Sequence, residues 1–351
     1  MDHAPKKEKK SGKKTVAWII VALVLVLLAA LGIYAATILN GLNHKELDQN
    51  DLGISDTQGN GGGGDTVSIV DDASDRSITN IALFGIDQRE GETQFRSDAV
   101  LIASVDKEHN KIKLSSLMRD TRVEIEGHGQ NKLNHAYFVG GPQLAVKTLN
   151  QNFGLDIREY VTVNFSQLAN IIDAVGGVEI DVSESERKDA NNSIWEQVSV
   201  AGLKPTPIEE AGLQTLNGTQ AVAYARIRHV GNADFDRTDR QREVLGKLFD
   251  KALGMNPLQY PEFARKFLPT VETSLDIGNI IDLAGIMLRD VSLEDARFPT
   301  NDDLIGNGSL TINGVQYLNV NLETMGEKLR AFIYDDVNPY APKETSSQTA
   351  E

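Results

Sequence analysis

The sequence predicts an α/β sandwich with a central mixed, partly antiparallel sheet, preceded by one transmembrane helix. Three observations support this prediction: an uncharged apolar stretch near the amino terminus, a set of short segments rich in branched apolar residues, and segments of helical periodicity between them. Strands and helices mixed along one chain are typical of a layered α/β fold.

The apolar stretch is residues 15–39, TVAWIIVALVLVLLAALGIYAATIL, and none of its side chains is charged. A helix rises about 1.5 Å per residue, so this stretch is long enough to cross a hydrocarbon core of about 30 Å. A secretory signal peptide cleaved near Ala35-Ala36 is the alternative, but such peptides usually have an apolar region of only about 7–15 residues. We therefore predict an uncleaved single-pass signal anchor.

The charges before this stretch predict its orientation. Six lysines precede it, against only Asp2 and Glu8. Lysine and arginine beside a first span are retained in the cytoplasm. Residues 1–14 are therefore predicted to be a cytoplasmic basic tail, and the body of the protein is predicted to be extracellular. A generic solvated or nucleic-acid-binding tail is the alternative.

The composition excludes several classes of protein. The chain has no cysteine, so an exported body must fold without disulfides. The formal net charge is -15, which argues against duplex nucleic acid as a partner. The six histidines form no HExxH or zinc-type spacing.

Changes of composition divide the chain. Residues 40–76 are polar, acidic and rich in glycine, and we predict a flexible extracellular linker there. Residues 77–256 are predicted to be the main domain, and residues 257–341 a helical and hairpin extension of the same body. Residues 342–351 are predicted to be a disordered tail.

Local patterns predict the elements of the body in order. The predicted strands are residues 78–86, 98–106, 111–117, 160–165 and 178–182. The predicted helices are residues 143–153, 166–175, 216–226 and 237–253, with further helical segments beyond Pro257. Residues 183–213 are polar and predicted to be a surface excursion, and Asn313-Gly314 within 309–318 predicts a tight hairpin.

The first three strands bring four charged residues together. A hairpin centred on Glu108-His109 places Asp98 opposite Arg119. If the first strand neighbours the second, Asp87 and Arg96 lie at the same end of the sheet. Two carboxylates and two guanidinium groups suit a hard divalent cation and a phosphate. Surface salt bridges around the loops are the alternative.

A second cluster lies in YARIRHVGNADFDRTDRQRE, which carries five arginines in an acidic domain. Arg226 and Arg228 fall at the end of one predicted helix, and Arg237 and Gln241 are four residues apart on the next. Arginines at such helix ends suit an anion, and a guanidinium binds phosphate through two hydrogen bonds. A charged outer helix face is the favoured interpretation for Arg240 and Arg242, and Thr238 with Gln241 is an alternative capping box.

These segments resemble the LytR–CpsA–Psr family of Gram-positive envelope proteins. The resemblance covers residues 78–255 in order, through NIALFGIDQRE, FRSDAVLIASVD, SLMRDTRVEI, QNKLNHAY, GGVEIDV, LNGTQAVAYARIRH and DFDRTDRQ. It implies an α/β/α sandwich with a lipid tail in an apolar tunnel under the sheet. The chain has Asp236 where the family pattern has glycine, which would either weaken phosphate binding at Arg237 or cap the helix.

The resemblance also implies an activity: transfer of an anionic glycopolymer, of the teichoic acid or capsular polysaccharide type, from an undecaprenyl-pyrophosphate carrier to peptidoglycan. Its location would be the cell membrane of a Gram-positive bacterium. Asp87 and Asp98 would hold Mg²⁺ (or Mn²⁺), and Asp98, Arg119 and Asp234 would be catalytic. The residues expected to bind the pyrophosphate are Arg96, Arg119, Lys132, Arg226, Arg228, Arg237 and Gln241.

Three alternatives stay open. Asp98 or Asp234 is the candidate base for the acceptor hydroxyl. A pyrophosphatase that uses water in place of a sugar hydroxyl, or a non-catalytic membrane-bound receptor for wall polymer, would use the same site. The side chains of Phe138, Leu144, Ile171 and Ile172 are candidates to line the lipid tunnel, with ordinary core packing as the favoured interpretation.

Overall fold

The computed structural model describes residues 43–54, 78–87, 95–201, 206–231, 233–286 and 289–340. The predicted cytoplasmic tail, the transmembrane helix at residues 15–39, residues 55–76 of the linker and the carboxy-terminal tail lie outside these ranges. Within the ranges, no helix combines the length and apolar character that a membrane crossing requires.

A mixed sheet of seven strands forms the centre of the described residues. The strands are β1 Asn43–His44, β2 Ile78–Ile86, β3 Ser97–Asp106, β4 Lys111–Leu117, β7 Glu159–Asn164, β10 Glu272–Thr273 and β11 Ser292–Phe298. Their order in the sheet is β1-β10-β7-β2-β3-β4-β11. Strand β2 pairs antiparallel with β3 and parallel with β7, and β4 pairs antiparallel with β3 and parallel with β11.

Helices cover both faces of this sheet. Alternate side chains of a strand point to opposite faces. Phe84 and Ile102 accordingly join the core beneath helices α1 (Leu133–Phe153) and α8 (Leu322–Tyr334). Ala103 and Leu114 face the other way and join the cluster that includes Phe249. That second layer contains α2 Phe165–Ala174, α4 Gly218–Ala225 and α5 Ala233–Leu253.

The remaining strands and helices lie outside the central sheet. Three two-stranded antiparallel sheets pair β5 Arg122–Ile125 with β6 Gly129–Lys132, β8 Val178–Val182 with β9 Gly212–Leu216, and β12 Leu304–Ile312 with β13 Val315–Val320. The first and third are hairpins, whereas residues 183–211 connect β8 to β9. The other helices are α3 Glu184–Ala201, α6 Tyr260–Phe267 and α7 Ile277–Ile286. Because β10 and β11 belong to the central sheet, the stretch beyond Pro257 forms part of the sandwich.

Two expectations about local structure were wrong. Part of the predicted linker, residues 43–54, is folded onto the domain: β1 pairs with β10, and Leu47 and Leu52 are 7% and 1% exposed. Part of the predicted surface excursion is helix α3, which buries Ala190 and Ile194 completely. In addition, α1 begins ten residues before its predicted start. It bends at Gly141, which has a φ of 61° and lies directly before Pro142.

Candidate functional site

The site lies where β2 ends and β3 begins. Ile86 of β2 pairs with Ser97 of β3, after a register shift between Gly85 and Ile86. Asp87 directly follows Ile86 and Asp98 directly follows Ser97, so both carboxylates lie at the same end of the sheet. Strand β3 pairs with β4 in the register Val100 to Leu117. This is the predicted hairpin, and it brings Arg119 to Asp98, with Arg119 Nη1 donating a hydrogen bond to Asp98 Oδ1.

Asp98 lies between two arginines. Arg237 Nη2 is 3.3 Å from Asp98 Oδ2 and donates to the Asp98 backbone oxygen at 3.3 Å. Burial acts to raise the pKa of Asp98, but the charges of Arg237, Arg119 and Arg228 outweigh it and lower that pKa. A carboxylate held ionised in this way accepts protons poorly. The geometry therefore favours Asp98 as a ligand or ion partner over Asp98 as the base.

Arg226 links the charged end of the sheet to an aromatic ring. It directly follows α4 as the C-cap residue, and that helix begins with a capping box between Asn217 and Gln220. Its Nη2 lies 3.5 Å from Asp87 Oδ2, and its guanidinium carbon lies 4.6 Å from the centre of the Phe165 ring. A guanidinium over a ring retains its donors at the edge, available to an anion.

An open polar cavity of about 480 Å³ adjoins Asp98. Arg96 lines it, with its guanidinium carbon 5.2 Å from the centre of the Phe138 ring. His135 also lines it, and burial together with the charge of Arg96 lowers the pKa of His135. This imidazole is therefore neutral at neutral pH, as expected beside a cationic site.

Asp120 is a site residue that the sequence did not single out. Its Oδ1 accepts from Lys132 Nζ at 2.6 Å, and its Oδ2 lies 3.4 Å from Arg119 Nε. It lines the polar cavity together with both of these cations. The available signal was its position directly after Arg119, at the end of the β3–β4 hairpin.

An apolar cavity of about 210 Å³ lies between the sheet and helices α2, α4 and α5. Gly85 and Ala99 pack closely at the wall of this cavity, where a Cβ on Gly85 would lie 3.0 Å from Ala99 Cβ. Of the four candidate tunnel residues only Ile171 lines this cavity. Ile172 is fully buried in a neighbouring cluster, and Leu144 belongs to α1 and packs against the core on the opposite face of the sheet. Phe138 lies against Arg96 and His135.

The remaining residues predicted for the site lie in different environments. Gln241 lines the apolar cavity, one helical turn after Arg237. Arg228 is exposed, and its charge reaches Asp98 through space. The backbone of Asp234 lies in the first turn of α5, and its side chain is outside the described part.

One expectation and one alternative interpretation for α5 were wrong. Arg240 does not lie on an exposed face: it is 6% exposed, donates from Nε to Glu186 Oε1 at 2.8 Å and from Nη2 to the Val230 oxygen. Because α5 begins at Ala233, Thr238 lies inside the helix and is not its cap.

The donor set has a limited capacity for metal. Within the described ranges, no group of three or more acidic or histidine side chains is placed to hold an ion. Asp87 and Asp98 provide two carboxylates at one end of the sheet. Mg²⁺ usually takes one or two carboxylates together with substrate phosphate oxygens and water. The residues therefore fit a magnesium ion that binds with a phosphorylated substrate, and not a site built from protein ligands alone.

The fold and site define an α/β sandwich in which an arginine-rich, candidate anion-binding site adjoins an apolar cavity. The chain belongs to the LytR_cpsA_psr family, which residues 47–331 match. This confirms the resemblance drawn from the motifs.

Individual relatives support the assignment. A polyisoprenyl-teichoic acid–peptidoglycan teichoic acid transferase, TagU of Oceanobacillus iheyensis, is 31% identical over 252 residues, 69% of this chain and 71% of that protein. Biofilm regulatory protein A of Streptococcus mutans is 29% identical over 286 residues, 77% of this chain and 65% of that protein.

The fold is also that of a solved family member. TagT (YwtF) of Bacillus subtilis, in a structure with bound octaprenyl pyrophosphate lipid, superimposes with a TM-score of 0.59. The match covers 83% of this chain and 99% of that chain at 23% identity. The likeness establishes the α/β fold with its central mixed sheet.

Proposed function

We propose that this chain is a membrane-anchored phosphotransferase that moves an anionic glycopolymer, of the teichoic acid or capsular polysaccharide type, from an undecaprenyl-pyrophosphate carrier to peptidoglycan. The observation that carries this proposal is the junction between the arginine cluster and the apolar cavity. Phe165 lines the cavity and lies under the Arg226 guanidinium. Gln241 lines it one turn from Arg237, which contacts Asp98.

This junction suits an amphipathic donor. A diphosphate bound at Arg119, Arg226 and Arg237 would extend its isoprenoid tail between the sheet and α2. The apolar lining provides the favourable transfer of the tail from water, and the guanidinium groups provide charge-assisted hydrogen bonds to the phosphates. Two proteins similar to this chain, a teichoic acid transferase and a protein with bound octaprenyl pyrophosphate, support this donor class.

The proposed reaction balances as a single displacement. A sugar hydroxyl of the acceptor attacks the phosphorus that carries the glycopolymer, and a new P–O bond forms. The bond to the bridging oxygen breaks, and the carrier leaves as its monophosphate. The hydroxyl proton passes to a carboxylate, and Asp234 is the favoured base because the arginines hold the pKa of Asp98 low.

Electrostatic stabilisation is the main role proposed for this chain. Arg96, Arg119, Lys132, Arg226, Arg228 and Arg237 would neutralise the diphosphate as charge develops on the leaving group. Asp87 and Asp98 would hold Mg²⁺ (or Mn²⁺), which when bound would neutralise phosphate oxygens further. Gln241 is proposed to lie at the start of the tail.

A reconstituted transfer assay tests the proposal. The full chain in detergent is mixed with a lipid-linked glycopolymer, magnesium and uncrosslinked peptidoglycan, and labelled polymer on the peptidoglycan is measured. Transfer that is lost in Asp98→Ala is expected. Release of free polymer without labelled peptidoglycan would instead identify a pyrophosphatase. Donor binding without turnover, unchanged in Asp98→Ala, would identify a receptor.

A further inference from the structure

A second cavity lies beside the polar cavity, on the inner side of the β12–β13 hairpin. Its volume is about 350 Å³. Four residues line both cavities: Arg119, Asp120, Lys132 and Tyr317. We call the second space the hairpin cavity. Its lining shares no residue with that of the apolar cavity.

The hairpin is fixed at its base to the site. The backbone nitrogen of Leu318 donates to the backbone oxygen of Asp120 at 2.8 Å, and Thr121 forms a parallel bridge with Leu318. Leu318 itself is buried. The backbone contacts of Leu318 therefore hold Tyr317 and Gln316 next to Asp120, although the outer part of the hairpin is exposed.

The charges in the hairpin cavity are confined to one end. Its charged side chains are Arg119, Asp120 and Lys132, all at the junction with the polar cavity. The rest of its lining is neutral, and the residues that bear polar or aromatic groups there are Phe235, Asn307, Ser309 and Gln316. An anionic polymer would gain little from this part, whereas an uncharged ligand fits it.

The neutral part has the groups that recognise a sugar. Gln316 Nε2 donates to Ser309 Oγ at 3.0 Å, and the Asn307 side chain accepts from the Ser309 backbone at 3.1 Å. These exposed amide and hydroxyl groups retain donors and acceptors for hydroxyl groups. The rings of Phe235 and Tyr317 provide flat apolar surface for the C–H face of a sugar ring. Pockets that combine apolar walls with a few fixed polar groups are typical ligand sites.

We propose that the hairpin cavity is the acceptor subsite, which binds a neutral saccharide and presents its hydroxyl at Arg119, Asp120 and Lys132. This inference rests on the proposed transfer function. In an in-line displacement the nucleophile enters opposite the leaving group. The carrier phosphate leaves toward the apolar cavity, so the acceptor enters through a space that is separate from that cavity.

The double variant Asn307→Ala/Gln316→Ala tests the subsite, because both residues are exposed and line the hairpin cavity but neither the polar nor the apolar cavity. In the transfer assay we expect the KM for uncrosslinked glycan chains to rise about tenfold or more, and the KM for the lipid-linked donor to change less than twofold. The matched control is Thr311→Ala, an exposed residue of the same hairpin that lines neither cavity. An unchanged acceptor KM, or a rise in the donor KM alone, would overturn the proposal.

A binding measurement separates this inference from the transfer function. Saturation-transfer NMR on the full chain in detergent uses a β-1,4-linked N-acetylglucosamine tetrasaccharide as the probe. Binding that is lost in the double variant and kept in Thr311→Ala supports the subsite even if no transfer is detected. Equal binding by the wild type and the double variant, or none by the wild type, would reject it. Loss of transfer with this binding intact would count against the proposed reaction alone.

Discussion

Arginine side chains in the 226–242 stretch fall into two groups by their partners. Arg226 is partly exposed and lies between the Asp87 carboxylate and an aromatic ring at the apolar cavity. Arg240 is buried and paired with Glu186 on α3. The same residue type therefore has a proposed binding role at one position and a structural role at the other, which mutation can separate.

Arg226→Ala is expected to reduce transfer about 100-fold or more, because it removes a cation from the proposed pyrophosphate site. Its ion pair is partly exposed, so the melting temperature should change by only a few degrees. Transfer kinetics and thermal unfolding of the same preparation measure both quantities. Arg265→Ala, which removes an exposed arginine paired with Glu262, is the control, and normal transfer by Arg226→Ala would count against the site.

Arg240→Met is expected to have the opposite profile. Removing one partner of a buried ion pair destabilises a protein by about 3–5 kcal/mol, since the other charge remains buried. Urea unfolding measures this loss, and transfer per folded molecule should persist.

The matched control is Arg240→Met/Glu186→Leu, which removes both charges and should recover most of the lost stability. Full stability in the single variant together with lost transfer would show that Arg240 acts in the site.

The sequence predicted the centre of the site but not its full set of residues. Hairpin geometry alone placed Asp98 opposite Arg119, because the turn fixed the register. Asp120 was missed because its importance depends on where Lys132 returns, after the β5–β6 hairpin. Arg240 was assigned to the surface because its burial depends on α3, which a local pattern does not reveal.

At the scale of elements, prediction succeeded where the signal was local. β2 and β8 match their predicted bounds, and Asn313-Gly314 adopts the positive φ values, 51° and 80°, of a tight hairpin turn. Helix α3 was missed because its buried face includes only a few apolar residues among many polar ones. Residues 43–54 were missed because their order comes from distant partners, such as Thr273 opposite His44.

The turn before α5 explains the unusual Asp236. Gly231 has a φ of 78°, and a Cβ there would lie 1.8 Å from Asp236 Oδ2. The Asp236 side chain therefore turns back against the preceding loop, and the glycine next to it provides the space. A larger residue at position 231 would therefore clash with the Asp236 side chain.

Gly231→Ala is expected to destabilise the protein by about 1–2 kcal/mol from the left-handed backbone alone, with a further loss from the steric conflict. The double variant Gly231→Ala/Asp236→Gly removes that conflict and should recover part of the stability. Chemical unfolding of four proteins, the wild type, Gly231→Ala, Asp236→Gly and the double variant, measures the coupling. Additive losses would show that the two positions are independent.

At the scale of the whole molecule, one carboxylate ties the carboxy-terminal helix to the central sheet. Asp336, just after α8, accepts from Lys111 Nζ at 2.7 Å and forms a close ion pair with Lys113. The Lys113 side chain is only 1% exposed. Hydrogen bonds from these two lysines lower the pKa of Asp336 to about 2.

Asp336→Asn is expected to lower stability by about 1–2 kcal/mol at pH 7, with the partial exposure of Asp336 limiting the effect. Asparagine tolerates the φ of 59° at this position. Because the folded-state pKa of Asp336 lies below the ordinary value of 3.8 for aspartate, the stabilisation is complete above about pH 5 and is lost as the pH falls through about 2.

Urea unfolding at several pH values therefore should show a difference between wild type and variant that shrinks in acid. Asp335→Asn, an exposed neighbour with the same change of charge, should show little difference at any pH. A gap that is constant from pH 7 to pH 2 would contradict the assignment.

The folding of residues 43–54 onto the sheet changes the role expected for the glycine-rich stretch that follows. Ile54 packs on the main core, and Ile78 begins β2 of the same body. Residues 55–77 thus leave and rejoin one domain, so their length does not set the distance between that domain and the proposed anchor; only residues 40–42 separate the two. An insertion between residues 54 and 78 is therefore expected to leave the distance between the site and the bilayer unchanged.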